Sequence, residues 1–358
     1  MHAFARRSVA RHAAPAALVL LALAAAPVAA SLAAQNARYT LGTRAGIFNI
    51  AGTMRVEGGT GSAVEVEVSR QGTESAQLRV ETGELRGRQT LRVIYPSDRI
   101  RWSAMGRGSR SELSVSEDGT FGWGRGSSRR VRVSGSEGLD AYADIVVRVP
   151  KGAEVGVWLG VGQVTLRNVD GTISVDVSAA DVTASGIRGR LSMDTGSGDV
   201  RVTDAEGSVT VDAGSGNFTL ENVRGDELSV DGGSGDVTGR GVRVRRAVFD
   251  LGSGDTRLTD VSADDLVVDT GSGNVDLALV SGVRTMALDT GSGDVTLRVP
   301  ASFGAMLEVD TGSGDLDVEL PLTVTRRSRT SLVGTIGDGK GRVRVDTGSG
   351  DVRILRAQ

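Results

Sequence analysis

The chain has 358 residues, 51 of them Gly, with no Cys and two His, and 41 Lys and Arg stand against 44 Asp and Glu. Gly at roughly twice ordinary usage, with few Pro and no Gly-X-Y period, excludes collagen. The missing Cys exclude a disulfide scaffold, a thiol nucleophile and a lipid-modified cysteine, and with three Trp, three Tyr and six Phe the apolar content falls to Val, Leu, Ala and Ile, which favours thin β-branched layers.

From the N-terminus, Arg6, Arg7 and Arg11 precede an apolar run from Ala13 to Ala30 that ends in Val28-Ala29-Ala30. This pattern predicts a secretory signal peptide over 1–30, with cleavage after Ala30 and Ala34 as the second choice. His2 and His12 both lie inside it, so the exported chain is expected to have no His and a net charge of −6. A His-containing zinc site, a Ser-His-Asp triad and a Cys-His pair are then excluded, and nucleic acid is a poor partner for a chain of this charge. No second apolar run suits a spanning helix, so the expectation is a periplasmic, secreted or cell-surface protein without a transmembrane anchor in its mature form.

Residues 38 to 150 read as a β-rich N-terminal cap without a regular period. Candidate strands are 46–50, 53–57, 64–68, 78–80, 91–95, 131–133 and 144–149. A Ser/Gly/Arg-rich insertion over 97–130 interrupts them. Arg99, Arg101, Arg107 and Arg125 there, interleaved with Trp102, Phe121 and Trp123, form a candidate ligand-binding loop, because cations and aromatic faces together can bind sugars or anionic polymers. A solvated insertion with no ligand is the alternative.

From 151 to 358 the chain repeats. A block Asp-x-Gly-Ser-Gly-Asp/Asn has its first Gly at 196, 214, 233, 252, 271, 291, 312 and 348, in steps of 18 to 21 and a final step of 36. Degenerate copies at Gly160 to Gln163 and Ser178 to Asp181 extend it backwards. Before each block lies a period-two apolar pair, such as Leu191/Met193 or Val209/Val211, and after it a second, such as Val200/Val202 or Phe218/Leu220. One unit of about 19 residues cannot stand alone, since roughly five buried aliphatics at about 1.5–3 kcal/mol each do not offset about 1–2 kcal/mol of ordering per residue. Stacking must supply the difference. The predicted fold is all-β, a right-handed parallel β-helix (β-solenoid) of about ten 18–21-residue coils, with the stretch 323–340 as a decorated or looped coil that accounts for the double step.

Stacking puts the Asp residues into columns. Asp194, Asp231, Asp250, Asp289 and Asp310 fall in one, Asp199, Asp236, Asp255, Asp294 and Asp315 in another, about 5 Å from coil to coil. Adjacent like charges then repel by about 1–3 kcal/mol. Two compensations are open: hydrogen bonds from the corner N–H groups and Ser or Thr hydroxyls, with Asn217 and Asn274 diluting the charge, or a row of Ca²⁺ ions held by these carboxylates. No other cofactor is expected.

Ala143 to Gly152 (ADIVVRVPKG), the serial Thr-Gly-Ser-Gly-Asp-Val units and the late Ile336-Gly-Asp-Gly339 resemble the bacterial adhesin-type family of β-strand-repeat proteins, a domain of unknown function, over roughly Gly46 to Leu355. The resemblance implies an exported β-helix and little about activity. The regular recurrence of the Asp positions marks them as scaffold, so the expectation is a non-catalytic, adhesin-like envelope protein that binds glycans or proteins. A structural or stress-related envelope scaffold, stabilised by calcium, is the alternative, and a polysaccharide-active β-helix enzyme is a remote one.

Overall fold

The computed structural model describes residues 36–122 and 127–357, so the leader expected over 1–30, Trp123 and Arg125 lie outside the described residues. β1 (Asn36–Leu41), β2 (Arg44–Gly59), β3 (Val64–Gln71), β4 (Arg79–Leu85) and β5 (Arg88–Ile94) come first. Two strands expected over 46–50 and 53–57 are in fact one, β2. Gly52, at φ +126°, lets the chain bend between its halves without ending it. β6 (Arg99–Arg101), β7 (Arg110–Ser116) and β8 (Ser128–Ser134) form a separate sheet in the order β6-β8-β7. They occupy the stretch read as an insertion. Period-two pairs Leu113/Val115 and Val131/Val133 give that small sheet a buried face.

β5 and β9 (Tyr142–Pro150) follow one another end to end along β2, each pairing in parallel with one half of it. On its other edge β2 pairs in parallel with β10 (Ala153–Arg167), the first strand of the repeat region. The parallel ladder therefore includes β2 from the region read as a cap. A buried polar knot fixes this layer. The Tyr95 hydroxyl donates to Asn49 Oδ1 at 2.8 Å, and the Asn49 amide donates to the Ala143 and Ala51 carbonyls.

The repeats follow as β11 (Asp170–Ser185), β12 (Arg188–Ser197), β13 (Val200–Ser215), β14 (Phe218–Ser234), β15 (Val237–Arg240), β16 (Arg243–Ser253), β17 (Thr256–Ser272), β18 (Val275–Leu279), β19 (Thr285–Thr290) and β20 (Val295–Val299). Equivalent residues of successive units pair in parallel, Val175 with Met193, Met193 with Val211, Val211 with Val230. The chain is all-β and solenoid-like. The predicted inward pairs are buried except Leu316/Val318 near the C-terminus, which are partly buried, and where Phe218 and Leu251 bulge into the core the neighbouring inward position is Gly232, whose Cβ would sit within about 3 Å of both.

Two corners repeat with the strands. At the Gly-Ser-Gly corner, Thr hydroxyls bond to glycine carbonyls of the neighbouring unit, Thr290 to Gly273 at 3.1 Å and Thr311 to Gly350 at 2.9 Å. The second glycine has no alternative: at Gly235, φ is +131° and a Cβ would lie 2.0 Å from the Gly216 carbonyl oxygen. A second corner stacks Asn168, Asp204, Asn222 and Asp260 at φ 52–57°, with Gly186 and Gly241 taking the same place in other units. Asn and Asp are the side chains that tolerate this left-handed region best.

At the C-terminus β21 (Ala305–Thr311) and β22 (Leu316–Val318) are followed by β23 (Leu322–Arg327) and β24 (Ser331–Ile336), then β25 (Gly341–Thr347) and β26 (Val352–Arg356). The stretch expected to be a decorated or looped coil is an antiparallel hairpin, β23 with β24, added to β21. Stacking order also departs from chain order. β25 lies between β19 and β21, so the unit of Asp346 separates those of Asp289 and Asp310.

Candidate functional site

Each unit contributes one Asp to a column on the outer face of the strand that runs into its Gly-Ser-Gly corner. In ladder order the column is Asp176, Asp194, Asp212, Asp231, Asp250, Asp269, Asp289, Asp346 and Asp310. It holds Asp194, Asp231, Asp250, Asp289 and Asp310 as predicted, with Asp346 intervening before Asp310. Beyond Asp176 the same position is occupied by Trp158 and then Phe48, stacked at 4.4 Å between ring centroids. Phe121 meets Phe48 edge-on at 6.0 Å. The position is aromatic where Phe121, in the loop after β7, packs on it, continues beyond Phe48 to the buried Arg92, and is acidic from Asp176 onward, where it opens to water.

Asp176 stands at that boundary. Burial pushes its carboxyl up to about 6, Asp194 adds to the rise, and a hydrogen bond with Trp158 opposes it. Asp231 and Asp289 are raised too, first by desolvation and then by the aspartates on either side. Like charges at ladder spacing disfavour each other's ionisation, as the column geometry requires. Only Asp346 of this column has an ion pair among the described residues, with Arg344 at 3.2 Å. Beside the column run small side chains, Ser192, Thr210, Ser229, Val248, Val267 and Ala287.

The second column is built differently. Asp181, Asp199, Asn217, Asp236, Asp255, Asn274, Asp294, Asp351 and Asp315 form a ladder in which Oδ1 of each residue accepts the backbone N–H of the next, at 2.8–3.0 Å. Asn serves as well as Asp because only a carbonyl-type oxygen is needed. The donors are N–H groups of the adjacent unit rather than Ser or Thr hydroxyls of the same corner. One oxygen of Asp199, Asp236, Asp255 and Asp294 is thereby committed, and among the described residues no three acidic, His or Cys side chains gather as a metal centre would require. A resident Ca²⁺ needs six to eight oxygens, so this donor set fits it poorly.

The described residues of the expected ligand loop are each engaged or exposed separately. Arg99 and Arg107 are exposed, Arg101 pairs with Asp140 at 3.0 Å, and Trp102 is half-buried against the core. Thr73 first, with Arg101 assisting, holds the Asp140 carboxyl below the usual range. Phe121 is 5% exposed, which makes it a packing residue and not a ligand platform. Its partner Phe48 lies 73 residues away in sequence, so no local spacing could have revealed the contact.

A family model described as Toastrack DUF4097 matches residues 109–355. Among solved structures, the chain is similar to a candidate cell adhesion protein of Clostridium sporogenes, with 9% identity over 90% of this chain and 99% of that one, and a TM-score of 0.21. No curated protein matches.

Proposed function

We propose, for a chain that belongs to the Toastrack DUF4097 family, an exported, non-catalytic, adhesin-like role in which the open face carrying the first Asp column binds glycans or proteins at the cell envelope. The observation that carries this reading is the face itself. A row of carboxylates beside a strip of Ser, Thr, Val and Ala repeats once per unit, which suits an extended ligand with its own period better than a single small molecule. Its carboxylates recur in every unit, as scaffold groups do, so we assign them no catalytic role. We further propose that the coils wind right-handed, about ten in all, by the crossover preference of parallel strands.

A second reading is a structural or stress-related envelope scaffold. The second column favours it, since its side chains are spent on joining units to one another. Calcium would then act as a loose counter-ion to the open column. Both readings are tested by binding of the exported chain to arrays of bacterial and host glycans in calcium and in EDTA, with thermal melts of each sample. Binding that is lost when Asp212, Asp231 and Asp250 are changed together to Asn supports the adhesive role; no binding, with superimposable melts, supports the scaffold.

A further inference from the structure

Along most of the ladder each unit stacks on its predecessor, but the last one in sequence is wedged between two earlier ones. Val343 and Val345 of β25 pair with Met286 and Leu288 on one edge and with Leu307 and Val309 on the other. β26 is held in the same way between β20 and β22. The segment arrives through Gly337 to Lys340, which passes over the start of β21, where the Gly341 N–H donates to the Gly304 carbonyl at 3.0 Å.

The slot and its occupant are made of the same sequence. Asp289 to Asp294, Asp310 to Asp315 and Asp346 to Asp351 all read Asp-Thr-Gly-Ser-Gly-Asp. Strand edges recognise main-chain groups and the in-out alternation of side chains, not which chain supplies them. We propose that the slot between β19–β20 and β21–β22 also accepts the C-terminal strands of a second copy, so that two chains interlock by reciprocal exchange of residues 341–356.

Exchange would keep every ladder bond of β25 and β26. Only turn contacts would change, chiefly Gly339 N–H to Ile336 and Lys340 N–H to Asp338, while the Gly341 N–H would find the Gly304 carbonyl of the other copy. A two-fold pair follows, each chain giving what it takes. Because the intramolecular strand acts at an effective concentration of order millimolar, exchange is expected when chains fold crowded together, and it is then trapped by the two ladders that must break to undo it. The inference does not depend on what the open face binds.

The chain has no Cys, which makes the test clean. Glu308 and Arg344 are facing partners on β21 and β25, both exposed. Full-length chains carrying Glu308→Cys alone and Arg344→Cys alone, distinguished by isotope label, are refolded together at high concentration and oxidised. A disulfide-linked dimer of unlike chains, at least ten-fold more abundant than when the two are folded separately and then mixed, is the expected result. Equal yields in the two protocols, or no mixed dimer, overturn the proposal. In the Glu308→Cys/Arg344→Cys double variant, oxidised at low concentration, the staple closes the slot and the parent's concentration-dependent dimer should vanish. Persistence of the dimer in the stapled chain also overturns it, and a Met306→Cys/Arg342→Cys pair offers the same staple one step along the strands.

Discussion

Replacing Asp176 by Asn should stabilise the protein at neutral pH. The folded state lifts this carboxyl to about 6 from an ordinary value of 3.8, so the neutral form is favoured by folding. A rise of about two pH units corresponds to about 3 kcal/mol, and because the group remains partly open to solvent roughly half of that, about 1–2 kcal/mol, is a reasonable expectation. The sign follows from proton uptake. Between about pH 4 and pH 6 the folded chain binds more protons at this site than the unfolded chain, so the charged carboxylate weakens the fold as pH rises through that window, and the penalty is fully present above it. Asn keeps an acceptor for Trp158 and removes the charge beside Asp194. Urea unfolding at pH 7.5 should show the variant more stable than the parent by about 1–2 kcal/mol, and at pH 4 the difference should close. A variant no more stable at pH 7.5, or equally stabilised at both pH values, refutes the account of the column's buried end.

Other substitutions probe the remaining layers of the design. Gly235→Ala forces a Cβ to 2.0 Å from the Gly216 carbonyl at a φ of +131°, and a loss above about 3 kcal/mol is expected in the same urea assay, whereas Gly87→Ala, with nothing within 4 Å, should cost much less. Asp236→Asn should be neutral or slightly stabilising, because Asn217 and Asn274 already serve in that ladder; Asp236→Ala removes the acceptor for Asp255 N–H and should cost about 0.5–1.5 kcal/mol. Tyr95→Phe leaves Asn49 Oδ1 without its buried donor and should cost about 1–3 kcal/mol, read from the thermal midpoint. Raising NaCl from 10 to 500 mM should raise the parent's midpoint through screening of the open column, and the gain should shrink in an Asp212→Asn/Asp231→Asn/Asp250→Asn variant.

Much of this was legible in the sequence because stacking turns a one-dimensional period into a three-dimensional column. The Asp-x-Gly-Ser-Gly-Asp spacing placed Asp194 beside Asp212 and Asp199 beside Asn217, and the apolar pairs Leu191/Met193 and Val209/Val211 placed the core. What the period could not supply was order in space. Asp346 is wedged between Asp289 and Asp310 because a strand with two good edges can enter a ladder out of turn, and repeated sequence carries no mark of which neighbour it will take. The same limit hid β2. Its parallel register with β10, Phe48 against Trp158, joins residues more than a hundred positions apart and carries none of the Gly-Ser-Gly signature.

The change of residue along the first column ties fold to role. Phe48, Trp158, Asp176 and Asp194 occupy one geometric position in successive layers, yet two are stacked aromatics and two are carboxylates. Backbone geometry cannot account for the difference, since the register is continuous. Solvent can. Where Phe121 packs over the column an aromatic ring gains packing area, and the charge that lies further along the buried side, Arg92 in register with Phe48, is partnered by Asp118. Where the face is open, the carboxylate is retained in layer after layer despite a mutual repulsion of about 1–3 kcal/mol per neighbour pair. Asn would relieve that repulsion, as it does twice in the second column, but it appears nowhere in the first. A column whose side chains join no units together, and that keeps its charge at a cost to stability, is what the proposed binding role would explain, and the triple Asn variant is the reagent that tests that proposal on the open face.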